Sequence, residues 1–219
     1  MCFVGRDRET KKIMKTLERG DNVVLMGKYG IGRTSLIKHV AALTKDRWRF
    51  IFLDFSQTPG KVSTQLLVEL LPEKRKGKDQ YIRYKSARFL IVNKELKDKL
   101  KHVLVFDNIA KLTTQKFQLI QYLILGSKFQ YIAIAESFLP KEDFFLLRAA
   151  LLPAETIILP YLSEESTKKL LYHLANKYSF HWSEQRLHML ASATRGYPLG
   201  VQEVIRRELD ARRKDGVRQ

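Results

Sequence analysis

The 219-residue sequence predicts an α/β protein, a parallel sheet covered by helices on both faces and followed by a small helical part. Three observations carry this. Val23 to Met26 is a short apolar run that meets a glycine-rich turn, Gly27 to Gly32, and then a helical pattern from Arg33 to Leu43. Four more apolar runs follow, at 49–55, 102–108, 130–135 and 156–159, separated by sequence of helical period. After Pro160 the strand signals stop and only helical patterns remain.

Each element has its own reason. Glu9 to Glu18 places Ile13, Met14 and Leu17 on one face, and Gly20-Asp21 ends it. Arg49 to Phe55 is bounded by charge on one side and by Ser56-Gln57-Thr58-Pro59-Gly60 on the other. Val62 to Leu71 reads as a helix. His102 to Asn108 is an apolar strand ending in an acid. Thr113 or Thr114 caps a helix reaching Leu125, with Gly126 just past its end. Gln130 to Ala135 is the fourth strand, Lys141 to Leu151 a helix, and Thr156 to Leu159 the fifth strand. Ser163 and Ser183 cap helices to Lys177 and about Ala193. Gly196-Tyr197-Pro198 then turns into Leu199 to Arg213, with Val201, Val204, Ile205 and Leu209 on one side and Arg206, Arg207, Arg212 and Arg213 towards the other. The expected division is an α/β unit at 1–160 and a helical unit with a basic tail at 161–219.

Composition narrows the class. Lys and Arg number 40 against 23 Asp and Glu, a net charge of +17. Such an excess favours anionic partners, nucleic acid first, an acidic protein or membrane surface second. A single cysteine, Cys2, permits no internal disulfide and fits a reducing compartment. Met1 to Asp7 is polar, unlike a signal peptide, and the longest apolar candidate, Phe144 to Leu152, is short and broken by Arg148. A cytoplasmic protein that does not enter a membrane is expected.

The glycine-rich turn carries the chemistry. Gly27-Lys28-Tyr29-Gly30-Ile31-Gly32-Arg33-Thr34-Ser35 fits G-x-x-x-x-G-K-[ST] except that Arg33 takes the lysine position. Glycines let successive N–H groups turn towards one anion, and the following helix adds its positive end. Thr34 can offer a hydroxyl to Mg²⁺. Arg33 keeps a positive charge near the β- and γ-phosphates, but as a planar fork rather than a compact ammonium. Asp107, at the end of the third strand, is the expected second Mg²⁺ position. Asn108 stands beside it where many ATPases carry a glutamate, and an amide orients water but cannot take its proton. Nucleotide binding is therefore expected to survive better than hydrolysis.

One further stretch stands out. Lys74, Arg75, Lys76, Lys78, Arg83, Lys85 and Arg88 open a basic run to Lys101, with Tyr81 and Tyr84 inside it. Basic side chains neutralise phosphates and aromatic rings stack on bases. A solvated helix pair whose lysines face water is the equal alternative.

In this order the motifs resemble those of AAA+ ATPases, and more narrowly the branch shared by STAND NTPases, archaeal ATPases and origin-recognition initiators. Phe3-Val4-Gly5-Arg6-Asp7-Arg8-Glu9 is similar to the family's F-x-G-R-x-x-E box, which lies near adenine. Gly27 to Ser35 resembles Walker A, and Leu104 to Asn108 Walker B. Leu159-Pro160-Tyr161-Leu162-Ser163 and Gly196-Tyr197-Pro198 resemble the approach to a helical lid and its G-x-P turn. The resemblance implies a P-loop NTPase sheet in the order 5-1-4-3-2 with a small C-terminal lid closing over the nucleotide. It implies ATP and Mg²⁺ as ligands and a homo-oligomer in the ATP state. Glu136 stands where the family places a polar sensor, and a carboxylate near a γ-phosphate would repel it. Arg148 is a candidate finger acting on a neighbour's nucleotide, and Arg195 a weaker candidate for a lid sensor. For both, a surface salt bridge is the bland alternative.

A short, basic AAA+ core further resembles transposition helper ATPases of the TniB, TnsC and IstB kind. That resemblance implies an ATP-controlled adaptor on double-stranded DNA, indifferent to sequence, that recruits a transposase. With no winged-helix domain after the lid, DNA contact is expected to come from the core itself. A STAND-like regulatory switch binding a protein partner without DNA is the alternative, and an active ATPase in which arginine replaces lysine the third reading.

Overall fold

The computed structural model describes residues 3–70, 89–92, 100–126 and 128–216, with side chains to residue 213. In chain order the elements are α1 (Asp7–Glu18), β1 (Asn22–Gly27), α2 (Arg33–Leu43), β2 (Trp48–Asp54), α3 (Pro59–Leu70), β3 (Lys101–Ile109), α4 (Thr114–Leu125), β4 (Phe129–Glu136), α5 (Lys141–Ala150), β5 (Ala154–Ile158), α6 (Glu164–Lys177), α7 (Glu184–Thr194) and α8 (Pro198–Gly216). The basic residues Lys74, Arg75, Lys76, Lys78, Arg83, Lys85 and Arg88 lie outside the described residues.

The five strands form one sheet in the order β2-β3-β4-β1-β5, and every pairing is parallel. Read from the other edge this is 5-1-4-3-2, the P-loop AAA+ arrangement. Because strand side chains alternate between faces, each apolar run feeds two cores. Val24, Leu104, Phe106 and Ala133 point towards α3, α4 and α5, whereas Val23, Leu25, Val103, Val105 and Ile132 point towards α1 and α2. On the first face Phe106 packs at a tilt against Phe55 with ring centroids 4.6 Å apart. On the second, α1 contributes Ile13 and Leu17 and α2 contributes Leu36, Ile37 and Val40, all fully buried. Each such side chain is worth about 1.5–3 kcal/mol of burial. The C-terminal helices pack on themselves through Leu171, Leu187, Ala191 and Val201, and through Ala175, Phe180 and Ile205.

Helix boundaries follow local chemistry. The hydroxyls of Thr113, Ser163 and Ser183 accept from the amides of Lys116, Ser166 and Arg186, capping α4, α6 and α7. Two helices begin earlier than the apolar pattern predicts, α1 at Asp7 and α3 at Pro59. An acid and a proline suit the first turn, where one meets the positive helix end and the other lacks an N–H that has no partner there. Gly126 ends α4 in a right-handed conformation, φ −70°, so no left-handed turn is made there.

Candidate nucleotide site

Parallel strands deliver their C-terminal ends to one edge of the sheet, and the site is built there. Gly27 closes β1, and its Cα lies in register with that of Glu136 on β4. The turn that follows needs its glycines. A Cβ on Gly27 would stand 2.8 Å from Ile31 Cγ2. Gly30 and Gly32 adopt φ of +72° and +95°, the left-handed region that favours glycine. The Ile31 amide donates to the Lys28 carbonyl at 3.1 Å, and Leu36 N–H to Gly32 O at 2.9 Å starts α2. The loop thus runs straight into a helix N-terminus, with the first-turn N–H groups directed at the loop side.

β3 reaches the same edge with a register shift between Phe106 and Ile109. Asn108 sits in this bulge at φ +62°. A bulge re-aims its neighbours, and here Asp107 meets the loop: Thr34 Oγ1 lies 3.1 and 3.0 Å from the two Asp107 oxygens. Burial raises the Asp107 carboxyl above its ordinary value, against the opposing pull of Thr34, the Asn108 amide and Arg33. A hydroxyl and a carboxylate in contact beside a phosphate loop fit Mg²⁺, which takes one or two protein oxygens and completes its shell with phosphate and water. No group of three or more His, Cys, Asp or Glu suited to a metal occurs among the described residues, so an ion here would rely on the nucleotide.

The two unusual residues behave differently from the sequence expectation. Arg33 does not extend along the loop. It is 7% exposed and turns beneath it, donating through Nη1 to the Ala135 carbonyl and through Nη2 to Glu136 Oε1 at 2.5 Å. Glu136, expected as a repulsive intruder at the sensor position, is this guanidinium's partner. Asn108, expected to orient water, donates through Nδ2 to Asp54 Oδ1 at 3.1 Å. Asp54 ends β2 in register with Asp107 and was not singled out from sequence, although an acid at the end of the neighbouring strand was the signal available. Burial works to raise the Asp54 carboxyl, but hydrogen bonds from Ser56, Asn108 and Gln57 outweigh it and hold it at about 2.

The N-terminal box and the C-terminal helices close around the loop. Gly5, at φ +73°, lies where a Cβ would be 2.5 Å from Ser166 of α6. Val4 is half-buried beside it. Arg6 is 4% exposed and donates to Pro160 O at 2.6 Å and Ile31 O at 3.5 Å, tying α1 to the loop and to the chain leaving the sheet. Tyr197 Oη donates to Tyr29 O at 2.5 Å, and Lys28 Nζ donates to Tyr161 Oη at 2.8 Å. The hydrogen bond to Tyr161 holds the Lys28 ammonium above its ordinary value. Pro198 begins α8, Leu199 rests on Gly30, and Ser35 on α2 is exposed.

The arginine candidates separate. Arg148 is exposed in the last turn of α5, with no ion-pair partner among the described residues. Arg195 is exposed at the left-handed end of α7, φ +48°. Arg212 lies over the Phe180 ring and donates to the carbonyls of Tyr178 and Ser179, while Arg206 and Arg207 both pair with Glu203. Among the described residues no helix is long and apolar enough to cross a membrane.

Known structures share the fold. RuvB of Thermotoga maritima, in a single-substitution form, superposes with a TM-score of 0.60 at 18% identity over 95% of this chain and 63% of its own. Cdc6p of Pyrobaculum aerophilum gives 0.62 at 15% identity over 96% and 62%, and Aeropyrum pernix ORC1, solved in complex with DNA, 0.55 at 10% over 95% and 66%. The chain therefore spans just under two thirds of the length of these proteins. No curated protein sequence matches it. The family described as Novel STAND NTPase 1, nSTAND1, matches residues 1–194, and the chain belongs to that family.

Proposed function

We propose that this protein is a nucleotide-controlled adaptor that holds an adenine nucleotide with Mg²⁺, hydrolyses it slowly if at all, and assembles on duplex DNA. The observation that carries the reading is the pairing of a complete phosphate-loop backbone and Thr34–Asp107 contact with two catalytic positions engaged elsewhere, Arg33 on Glu136 and Asn108 on Asp54. Binding and turnover are thereby uncoupled. The loop N–H groups and the α2 terminus hold phosphate oxygens, Thr34 and Asp107 hold the ion, and Mg²⁺ neutralises phosphate charge. No side chain with the basicity to activate water stands at position 108. Lost positioning or charge of this kind is typically worth about 10²–10⁵ in rate. In this reading residues 1–160 are the nucleotide-binding core and 161–219 the lid, entered at Pro160–Tyr161 and containing the Gly196–Pro198 turn.

DNA is the first partner because the chain carries +17 net charge and two proteins of the same fold act on DNA by their descriptions, RuvB as a Holliday junction branch migration motor and ORC1 in its DNA complex. The described C-terminal arginines are largely engaged within the lid helices, so the run beginning at Lys74 is the proposed DNA surface. A lysine-rich surface contacts phosphates and not base edges, so binding is indifferent to sequence and steeply salt-dependent. Arg148 is the proposed finger between subunits, and a transposase is the recruit that the resemblance to transposition helpers supplies.

The second reading, a regulatory switch that binds a protein without DNA, is favoured by the family assignment and by one surface. Phe138, Phe145, Leu146 and Leu152 are exposed at 67, 63, 46 and 63% around α5. The size distribution of the purified protein with and without ATP-Mg²⁺, each with and without duplex DNA, separates the two. Growth that requires ATP and DNA together supports the adaptor. A particle unchanged by DNA at low salt overturns the adaptor and leaves the protein-binding switch.

A further inference from the structure

The Arg33–Glu136 pair has a consequence for which nucleotide the loop accepts, and it rests on the nucleotide-binding reading above. β4 lies between β1 and β3 in the sheet, so its last residue stands between the phosphate loop and Asp107. A third phosphate bridged to an ion on Thr34 and Asp107 would lie on this side of the loop. Glu136 stands there beneath the loop, 6% exposed. One carboxylate oxygen holds Arg33; the other, Oε2, is buried with no hydrogen-bond partner among the described residues. At neutral pH a carboxylate and a phosphoryl group are both acceptors only, so neither can satisfy the other.

Charge leads to the same result. The ordinary loop lysine brings one uncommitted positive charge to the β- and γ-phosphates. Here that charge is cancelled by Glu136, and both guanidinium faces that reach β4 are engaged, one by Ala135 O and one by Glu136. The backbone N–H groups of the loop and the α2 terminus are untouched by this exchange, and they serve the inner phosphates. Admitting a third phosphate requires Arg33 to leave Glu136, which strands a buried carboxylate beside a new anion.

We propose that Glu136 is a specificity residue that makes the site select nucleoside diphosphates over triphosphates, with the Arg33 pair as the element that must open before a triphosphate enters. A triphosphate then binds only by displacing a formed ion pair, while a diphosphate binds with the pair intact.

The test is equilibrium binding of fluorescent ADP and ATP analogues to the full chain in the presence of Mg²⁺. ADP is expected to bind at least about tenfold more tightly than ATP, a small part of what like charges in contact cost at a buried site. Glu136→Gln keeps the shape and removes the charge, and is expected to narrow the ADP-to-ATP ratio about tenfold, chiefly by tightening ATP. If that variant does not fold, R33K/E136Q supplies a lysine and a neutral neighbour, and the ratio is expected to move the same way. Wild-type protein that binds ATP as tightly as ADP overturns the inference and leaves nucleotide binding standing. Variants that change both affinities equally also overturn it, because a brace without a role in selection would behave that way. Wild-type protein that binds neither nucleotide overturns the nucleotide-binding reading and this inference together.

Discussion

Gly30 and Gly32 offer a direct test of whether the C-terminal helices rest on the phosphate loop. Both are left-handed, at φ +72° and +95°, so alanine is strained at each, by about 1–2 kcal/mol. Only their neighbours differ. Around Gly32 a new Cβ meets nothing within 4 Å. At Gly30 it stands 2.7 Å from Leu199 Cβ, 2.8 Å from Leu199 Cδ2 and 3.1 Å from Tyr197 Oη. Carbon atoms pack at about 3.5–4.0 Å, so Leu199 has to retreat by about 1 Å. Its Cβ is fixed to the first turn of α8, so the helix moves with it. Overpacking of this size adds about 1–3 kcal/mol. Gly30→Ala is therefore expected to lose about 2–5 kcal/mol and Gly32→Ala about 1–2 kcal/mol. Urea unfolding followed by the fluorescence of Trp48 in the sheet and Trp182 among the C-terminal helices measures both. Hydrogen exchange at the Val201 amide, bonded to Tyr197 O at 3.1 Å, reports the displacement of α8 directly. Because +95° is no easier for alanine than +72°, backbone strain alone cannot make Gly30 the worse site. Equal losses, or a larger loss at Gly32, would refute the contact between α8 and the loop.

Two other outcomes are expected. Arg33→Ala leaves Glu136 buried without its partner and should destabilise the fold by about 3–5 kcal/mol, whereas R33M/E136Q should lose much less than the sum of its single changes; a double-mutant cycle with no coupling would mean the pair is not formed in solution. Acidification should reach the two strand-end acids at different pH, because their carboxyls are shifted in opposite directions. Asp54, held at about 2, contributes stability that is present above its unfolded value near 3.8 and is lost as pH falls through about 2, and Asn108→Ala should move its carboxyl titration, read by NMR, upward. Asp107 is raised instead, so it takes up its proton above 3.8 and the Mg²⁺-dependent part of nucleotide affinity should decline first on acidification, measured as Kd against pH with and without Mg²⁺.

What could be read from sequence was what is local. The bounds of α2, Arg33 to Leu43, follow from a glycine turn meeting a helical pattern, and the caps at Thr113, Ser163 and Ser183 follow from hydroxyl chemistry within three residues. Thr34 and Asp107 were expected at one ion because loop and acid strand come in a fixed order, and the structure brings the two side chains into contact. The direction of Arg33 was not, because its partner is 103 residues away and a guanidinium can as well follow the loop as turn beneath it. Asn108 escaped for a different reason. Its amide reaches Asp54 through a left-handed bulge, and nothing in the composition of β3 marks which residue of the strand will slip. The clamp made by Arg6 was seen only as a motif position; that it holds Pro160, 154 residues on, depends on how the chain leaves the sheet.

Taken singly, Arg33 and Glu136 look like two losses, a lysine replaced and an acid intruding. Their geometry makes them one exchange. Lysine presents a compact ammonium on a flexible stem, whereas the guanidinium fork donates at once to a backbone carbonyl and to a carboxylate on the adjoining residue, as it does here to Ala135 and Glu136. A Glu136 without Arg33 would be a stranded buried charge, and an Arg33 without Glu136 would leave a buried cation held by one carbonyl. The same reasoning covers the neighbouring strand, where Asn108 serves as a donor to Asp54. Asp54, Asp107 and Glu136 thus bring an acid to the end of each of three adjacent strands, met by Asn108, Thr34 and Arg33 respectively. Only Glu136 Oε2 among these carboxylate oxygens is buried without a hydrogen-bond partner among the described residues, so the one unmet demand at this edge of the sheet lies beside the Arg33 pair.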